Sequence, residues 1–319
     1  MITFLRKLKS QIRLFKFFAK YRKDDFQSID RFNRVISKIY NKEYSTRKKY
    51  VNSEFLEETR DLNENGFKII NLDKLKFDNQ FNESLNFLRS KYTLMDWEQN
   101  SERSQGSLKE KIDFLRQQEL ELNPHIMNVI EPFTQLITNY LGCLPVLINA
   151  SFWYSPNKSE SPIGSQLFHL DPDDSKIIKI FIPVEEIDES CGPMNVINSK
   201  ISRNIYDLSL KKGIIKKRNY KIQDDEIKKF KDFKSEKIIL KKNQLALVDT
   251  CRCYHFGSRK SINPRKLIFF HLTPPFSGKL PVIRKLESKN IFSNQKEKLL
   301  FSYIKNHVNH YKTKKLLEL

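Results

Sequence analysis

Cysteine is scarce and unpatterned in this chain: its four residues stand at 143, 191, 251 and 253, in no CxxC pair and no regular framework. That argues against a disulfide scaffold and against a zinc finger, and it fits a reducing, cytoplasmic setting. Long apolar runs are missing too, so no segment reads as a membrane span or as the core of a signal peptide. No internal repeat is visible. No helix-turn-helix or aromatic nucleic-acid platform signature stands out. One region lacks acid altogether: from Met1 to Lys23 there is no Asp or Glu.

What is present in excess is positive charge, +20 net. Lysine is scattered through predicted helices and turns with abundant Asn, Ile and Phe, so the charge reads as a solvated basic surface. Acidic substrates or carriers are the functional alternative, and no specific nucleic acid is expected. The densest basic stretch is the acid-free one. Arg6, Lys7, Lys9, Arg13, Lys16, Lys20, Arg22 and Lys23 interleave there with Phe4, Leu5, Leu8, Ile12, Leu14, Phe15, Phe17 and Phe18. Two readings are open for residues 1–23: an amphipathic helix making peripheral contact with an anionic membrane, or a helix docked on the protein's own core.

A chain of 319 residues accommodates one core with helical additions. Residues 1–64 read as a basic helical segment, 65–280 as the main domain, and 281–319 as a C-terminal helix. Within the domain, Phe67 to Leu72, Val146 to Tyr154, Ile177 to Val184, Met194 to Ile197, Lys237 to Leu240, Leu245 to Asp249 and Leu267 to Leu272 read as strands, and 76–141 as mainly helical. A lysine-rich insertion at 201–235 is either a lid or substrate-recognition loop or a solvated excursion.

The chemistry-bearing pattern is His169-Leu170-Asp171, followed far downstream by His255 and then Arg265. In an extended strand, side chains i and i+2 leave the same face, so His169 and Asp171 can reach one ion while Leu170 turns into the core. His255 follows the apolar run Leu245-Ala246-Leu247-Val248 and precedes a Gly-containing bend, placing it to complete the set. Two imidazoles and one carboxylate on one side of an ion is the arrangement of Fe(II) oxygenases. Arg265 opens a strand, and a guanidinium grips a carboxylate through two charge-assisted bonds. It could therefore hold the far carboxylate of 2-oxoglutarate.

Four stretches around these residues resemble the phytanoyl-CoA dioxygenase family of Fe(II)/2-oxoglutarate oxygenases. They are Ser165 to Asp174, Lys179 to Val184, Cys191-Gly192-Pro193-Met194 and Asp249 to Arg259, within a resemblance that spans roughly 140–276. The likeness implies a mainly β core with flanking helices, built as a double-stranded β-helix (jelly-roll, cupin-like). It also implies iron held by His169, Asp171 and His255, 2-oxoglutarate anchored by Arg265, and O2 as the oxidant. Ser199-Lys200 departs from the family, whose members usually carry Ser-His there. Halogen-installing relatives replace the carboxylate ligand with a small residue; this chain keeps Asp171, which favours hydroxylation, desaturation or ring closure. The substrate class implied is a small molecule, a lipid or a carrier-bound metabolite.

Other residues have plainer readings. Arg259, four past His255, is the rival carboxylate anchor, although it falls in the bend. Gln166, Tyr154 and Lys179 are read as polar groups pointing from strands that border the cavity, able to bind cosubstrate or substrate, or else solvent. Asp173 and Asp174 read as solvated turn acids, and His271 as a strand residue with a backbone partner. His125 has no company in the sequence, and His307 and His310 share a helical surface. Cys251 and Cys253 could share a face near His255 and suit a softer metal. The competing functional class is a non-catalytic β-helix protein that binds acidic partners or membrane through its basic surface. Oligomeric state is not legible.

Overall fold

The computed structural model describes residues 40–75, 77–95, 110–113, 123–156, 164–215, 220–259, 261–275 and 294–301, with isolated positions at 34, 37, 38, 97, 162 and 277. The basic stretch 1–23, His307, His310 and most of the expected C-terminal helix lie outside the described residues. No described helix is long and apolar enough to cross a membrane.

Among the described residues, nine strands form two antiparallel sheets. The larger contains β1 (Phe67–Asn71), β7 (Gln244–Val248), β4 (Ile178–Pro183), β9 (Arg265–Thr273), β3 (Val146–Ser155) and β2 (Glu110–Asp113), in that spatial order. The smaller runs β6 (Glu236–Ile238), β5 (Met194–Val196), β8 (His255–Phe256). Residues 168 and 169 extend it through a bridge between His169 and His255. From β3 onward the chain passes repeatedly between the two sheets, with the β5–β6 pair together in the smaller one, giving the expected double-stranded β-helix. The β2 strand falls inside a region the sequence reads as helical.

The strands of the larger sheet are apolar on both faces, as in a sheet covered on both sides. On one face Leu147, Ala150, Phe152, Ile178, Ile180, Ile182, Leu245, Leu247, Ile268, Phe270 and Leu272 pack against helices. Those helices are α3 (Asn79–Thr93) and α4 (Asn123–Leu141), which contribute Phe81, Leu85, Leu88, Ile130, Phe133 and Ile137. Each such side chain, fully buried, contributes about 1.5–3 kcal/mol. The opposite face, with Trp153, Phe181, Ala246, Val248, Leu267 and Phe269, closes on the smaller sheet through Met194, Val196 and Ile238. Between these two faces of each strand, residue parity decides what reaches the interior.

Two shorter helices precede the sheet, α1 (Asn41–Lys48) and α2 (Leu56–Asn65). Arg47 of α1 is 2% exposed. Its Nη1 donates to the carbonyls of Leu144, Pro145 and Leu299, stapling the N-terminal helices to the start of β3 and to α7 (Gln295–Leu300). Gly66 ends α2 at φ +78, and a Cβ there would lie 2.4 Å from Cys253 Sγ. Its carbonyl accepts the Asp249 N–H at 2.7 Å, so glycine lets α2 close onto the turn before His255.

The insertion is packed rather than a solvated excursion. It begins within α5 (Ser199–Lys211) and includes α6 (Asp224–Ile227). Ile205, Tyr206, Ile215, Tyr220, Ile222, Ile227 and Phe230 form a third core with Phe168, Leu170 and Tyr254. The Ile222 N–H donates to the Phe168 carbonyl at 2.8 Å. The insertion therefore covers the outer side of the strands that carry His169 and His255.

Candidate metal centre

His169 and His255 face each other across an antiparallel bridge, exchanging backbone hydrogen bonds of 3.0 Å in both directions. Phe168 and Leu170 point into the third core, so alternation turns His169 and Asp171 the other way. The Asp171 N–H donates to the Thr250 carbonyl at 2.9 Å, tying the end of the motif to the turn before His255. The chain thereby brings His255 beside His169 and Asp171, which lie more than eighty positions earlier.

Each imidazole is oriented by its own strand. Nδ1 of His169 lies 2.8 Å from the Leu167 carbonyl, and Nδ1 of His255 lies 3.0 Å from the Cys253 carbonyl. A carbonyl only accepts, so both Nδ1 atoms carry the proton and both Nε2 lone pairs face the interior. Nε2 of His169 is 3.8 Å from Asp171 Oδ1, and Nε2 of His255 is 3.8 Å from Oδ2. One ligand atom from each of the three residues lies within 4.8 Å of the others. Two imidazole nitrogens and a carboxylate at this spacing fit one first-row transition ion.

The charges agree with that fit. Burial, with His169 beside it, pushes His255 down to about 3, so the ring is neutral. Burial would raise the Asp171 carboxyl, but the Lys179 ammonium and both imidazoles outweigh it and hold it well below the usual range. Lys179, on the interior face of β4, ion-pairs with Asp171. Burial opposes its charge, and Asp171 and Asp173 overcome that opposition and raise its pKa.

Arg265 opens β9 directly opposite Ser155 at the end of β3. It is 4% exposed, and burial pushes its guanidinium down to about 10. Neither Arg265 Nε nor Ser155 Oγ has a hydrogen-bond partner among the described residues. Gly257, two residues past His255, borders the same guanidinium: a Cβ there would lie 3.9 Å from Arg265 Nη2. Leaving a buried cation without a carboxylate costs several kcal/mol, on the order of the penalty for an unpaired buried ion. Such a pairing of buried donors is the structure of an anion pocket.

Aromatic groups line the interior between these ends. Trp153 stacks on Phe269 at 3.8 Å, and Phe181 stands 5.4 Å from Phe269. The Trp153 indole donates to Ser151 Oγ at 2.8 Å, and Ser151 donates to Asn149 Oδ1 at 2.7 Å. Opposite Lys179 in the register is His271, whose Nε2 faces Asp173 Oδ2 at 3.7 Å.

Several expectations change here. Tyr154 does not border the interior: it alternates with Trp153, faces the helices and stacks on Trp97 at 5.7 Å. Gln166 belongs to a 3-10 turn (Gly164–Gln166), not a strand, and its amide donates to the Ser258 carbonyl at 2.8 Å. Arg259 forms a two-pronged pair with Asp224 of α6, at 2.5 and 3.0 Å, and lies 3.6 Å over the Phe256 ring. Its fork is thus committed to holding the insertion. Asp173 and Asp174 are 4% and 0% exposed, not solvated: the loop that carries them is tucked beneath Cys251, whose Sγ accepts the Asp174 N–H at 3.4 Å. His271 faces this loop's acid. His125 has company, stacking on Phe87 at 4.0 Å. Cys251 and Cys253 are buried, with thiol pKa values pushed well up by burial, which disfavours the thiolates a softer metal needs.

Sequence reasoning passes over Ser155 and the Asp173–His271 contact. Ser155 shares parity with Ser151 and Trp153, and that was the available signal.

No family model matches the sequence, and no curated protein matches it. Among solved structures, the chain is similar to the epimerase SnoN in complex with Fe3+, alpha ketoglutarate and nogalamycin RO. That likeness has 11% identity over 69% of this chain and 83% of that one, with a TM-score of 0.45. HygX from Streptomyces hygroscopicus with nickel and 2-oxoglutarate bound gives 12%, 70%, 89% and 0.43. EctD from S. alaskensis with 2-oxoglutarate and 5-hydroxyectoine gives 12%, 69%, 76% and 0.43. These likenesses are distant, and none of the chemistry below rests on them.

Proposed function

We propose that this protein is an Fe(II)- and 2-oxoglutarate-dependent oxygenase of the phytanoyl-CoA dioxygenase type, hydroxylating a C–H bond of a small-molecule, lipid or carrier-bound substrate. The observation that carries the reading is the buried Arg265 guanidinium, whose Nε has no hydrogen-bond partner among the described residues, inside the same barrel as a His-Asp-His cluster. A metal site alone would not require it. A metal cosubstrate with a second carboxylate does.

His169, Asp171 and His255 would hold the iron, and Arg265 with Ser155 would hold the distal carboxylate of 2-oxoglutarate. Iron and 2-oxoglutarate together supply oxidation by O2, with succinate and CO2 as coproducts. The chain's own part is positional. The Leu167 and Cys253 carbonyls keep both Nε2 lone pairs aimed inward. Lys179 steadies Asp171 and offers positive charge to an acid group entering beside it. Trp153, Phe181 and Phe269 keep the interior apolar and exclude water. Gln166 supports the bend after His255 through Ser258.

Anaerobic addition of Fe(II) and then 2-oxoglutarate to the purified protein tests this. The expected result is a metal-to-cosubstrate charge-transfer band, followed in air by slow succinate release without substrate. Absence of both, or iron binding unaffected by His169→Ala, would sink the proposal.

A further inference from the structure

We propose that a cleft behind the metal-ligand strand binds a phosphate-bearing small molecule. The cleft has a volume of about 1060 Å3 and lies between the end of α2, Leu170, the loop 175–176, the first turns of α5 and the turn 251–252. Leu170 points away from His169 and Asp171, so this space is on the opposite side of the strand from the metal-ligand atoms. The proposal does not depend on the iron reading.

Four basic side chains line the cleft, Lys176, Lys200, Arg203 and Arg252, against one acid, Glu64. Arg203 is already tied to Asp207 at 2.9 Å. No carboxylate pairs with Lys176, Lys200 or Arg252 among the described residues. Two of these cations are fixed in place by neutral acceptors. Lys176 Nζ donates to Asn63 Oδ1 at 2.7 Å and to the Tyr140 carbonyl at 2.8 Å, and sits 4.0 Å over the Tyr140 ring. Arg252 donates from Nη1 to Tyr140 Oη and from Nη2 to the Asn63 carbonyl, both at 2.9 Å. These bonds set position without cancelling charge. Burial and the neighbouring Arg252 push Lys176 down to about 8, against the opposing pull of Asp249. The buried Asp249 receives the Tyr140 hydroxyl at 2.6 Å, so the hydroxyl stands between that carboxylate and the Arg252 Nη1 it accepts from.

The class of ligand follows from the donors. The Lys176 and Lys200 ammoniums and the Arg252 guanidinium suit an anion with several oxygens at tetrahedral angles. The N-terminal end of α5, a helix of 13 residues, adds a favourable field. The cleft exceeds one phosphate in size, and Leu170 and Tyr206 on its wall offer apolar contact to the organic remainder.

Inorganic pyrophosphate serves as the probe, titrated calorimetrically into EDTA-treated full-length protein at near-physiological salt. Saturable binding is expected, weakened at least ~10-fold by Lys200→Glu, a charge reversal beside the ligand. That substitution puts an acid in the first turn of α5, where the helix tolerates it well, so folding is retained. Lys234→Glu, on an exposed lysine outside the cleft, should leave binding unchanged. Absence of saturable binding up to about 10 mM probe, or binding by Lys200→Glu equal to wild type, overturns the proposal. So does an equal loss in both variants, which would assign the effect to overall positive charge.

Discussion

Arg265 and Ser155 stand directly opposite each other at the ends of β9 and β3, both buried. Neither the guanidinium Nε nor the hydroxyl has a hydrogen-bond partner among the described residues. In a protein interior such an arrangement is costly, and it persists where a ligand completes it.

Arg265→Met should therefore act in opposite directions on stability and on binding. Removing a buried partnerless charge should raise the stability of the cosubstrate-free protein by about 1–3 kcal/mol. Affinity for 2-oxoglutarate should fall at least ~30-fold, since a two-pronged charged contact is worth about 2–5 kcal/mol. Urea denaturation and titration of the charge-transfer band read the two effects separately. Destabilisation with unchanged affinity would assign Arg265 a purely structural role.

Arg259→Ala gives the contrasting pattern. Losing its paired bonds to Asp224 and its stacking on Phe256 should cost about 1–3 kcal/mol of stability. Protease sensitivity should rise within the insertion, and 2-oxoglutarate affinity should stay within a factor of about 3. A large loss of affinity would make Arg259 the anchor after all.

The metal ligands make a third test. His169→Ala and His255→Ala should each weaken Fe(II) binding at least ~100-fold, more than the 10–100-fold typical of residues that only support ligands. Chelation should lower the melting temperature of the metal-loaded wild type, because an ion bound by the folded state alone stabilises it. Equal melting with and without chelator would contradict the site.

Asp249 predicts a pH effect away from the ligands. Burial raises its carboxyl to about 6, whereas an exposed Asp ionises near ~3.9. The folded state thus favours the protonated form, and this contribution is complete below about pH 4 and lost as pH rises through about 6. Asp249→Asn, which keeps an acceptor for the Cys251 and Arg252 N–H groups, has no such loss. Its stability relative to wild type should therefore improve by about 2–3 kcal/mol between about pH 4 and pH 7. A difference that stays flat over that window would show that Asp249 titrates normally.

How much was legible depended on which physical signal each residue carries. His169 and Asp171 were readable because strand parity is local, and Leu170 between them is apolar. Five of the six strands of the larger sheet were also readable, to within a residue or two, because their apolar runs are long; β2 was not, since it lies in a stretch read as helical. Which face of β3 looks inward was not. The run Val146–Ser155 is nearly all apolar, so alternation gives no contrast: Tyr154, expected at the cavity, packs toward the helices, and Ser155 was passed over. Asp173 and Asp174 misled for a related reason: adjacent acids imply solvent, until His271 and Cys251 from distant strands close over them. The lysine-rich insertion looked solvated because its apolar residues are spaced singly, and only folding gathers Ile205, Tyr220, Ile222 and Phe230 against Phe168.

By itself the sequence determined a β-rich core, an i, i+2 pair of ligand-type residues and a later histidine and arginine in plausible order, since these depend on periodicity and residue chemistry within short stretches. Tertiary structure decided that His255 pairs with His169, that Arg265 is left without a partner while Arg259 is taken by Asp224, and that lysines from separate segments share one cleft. Those outcomes depend on cross-strand register and on which charges are buried together, and no local pattern encodes either.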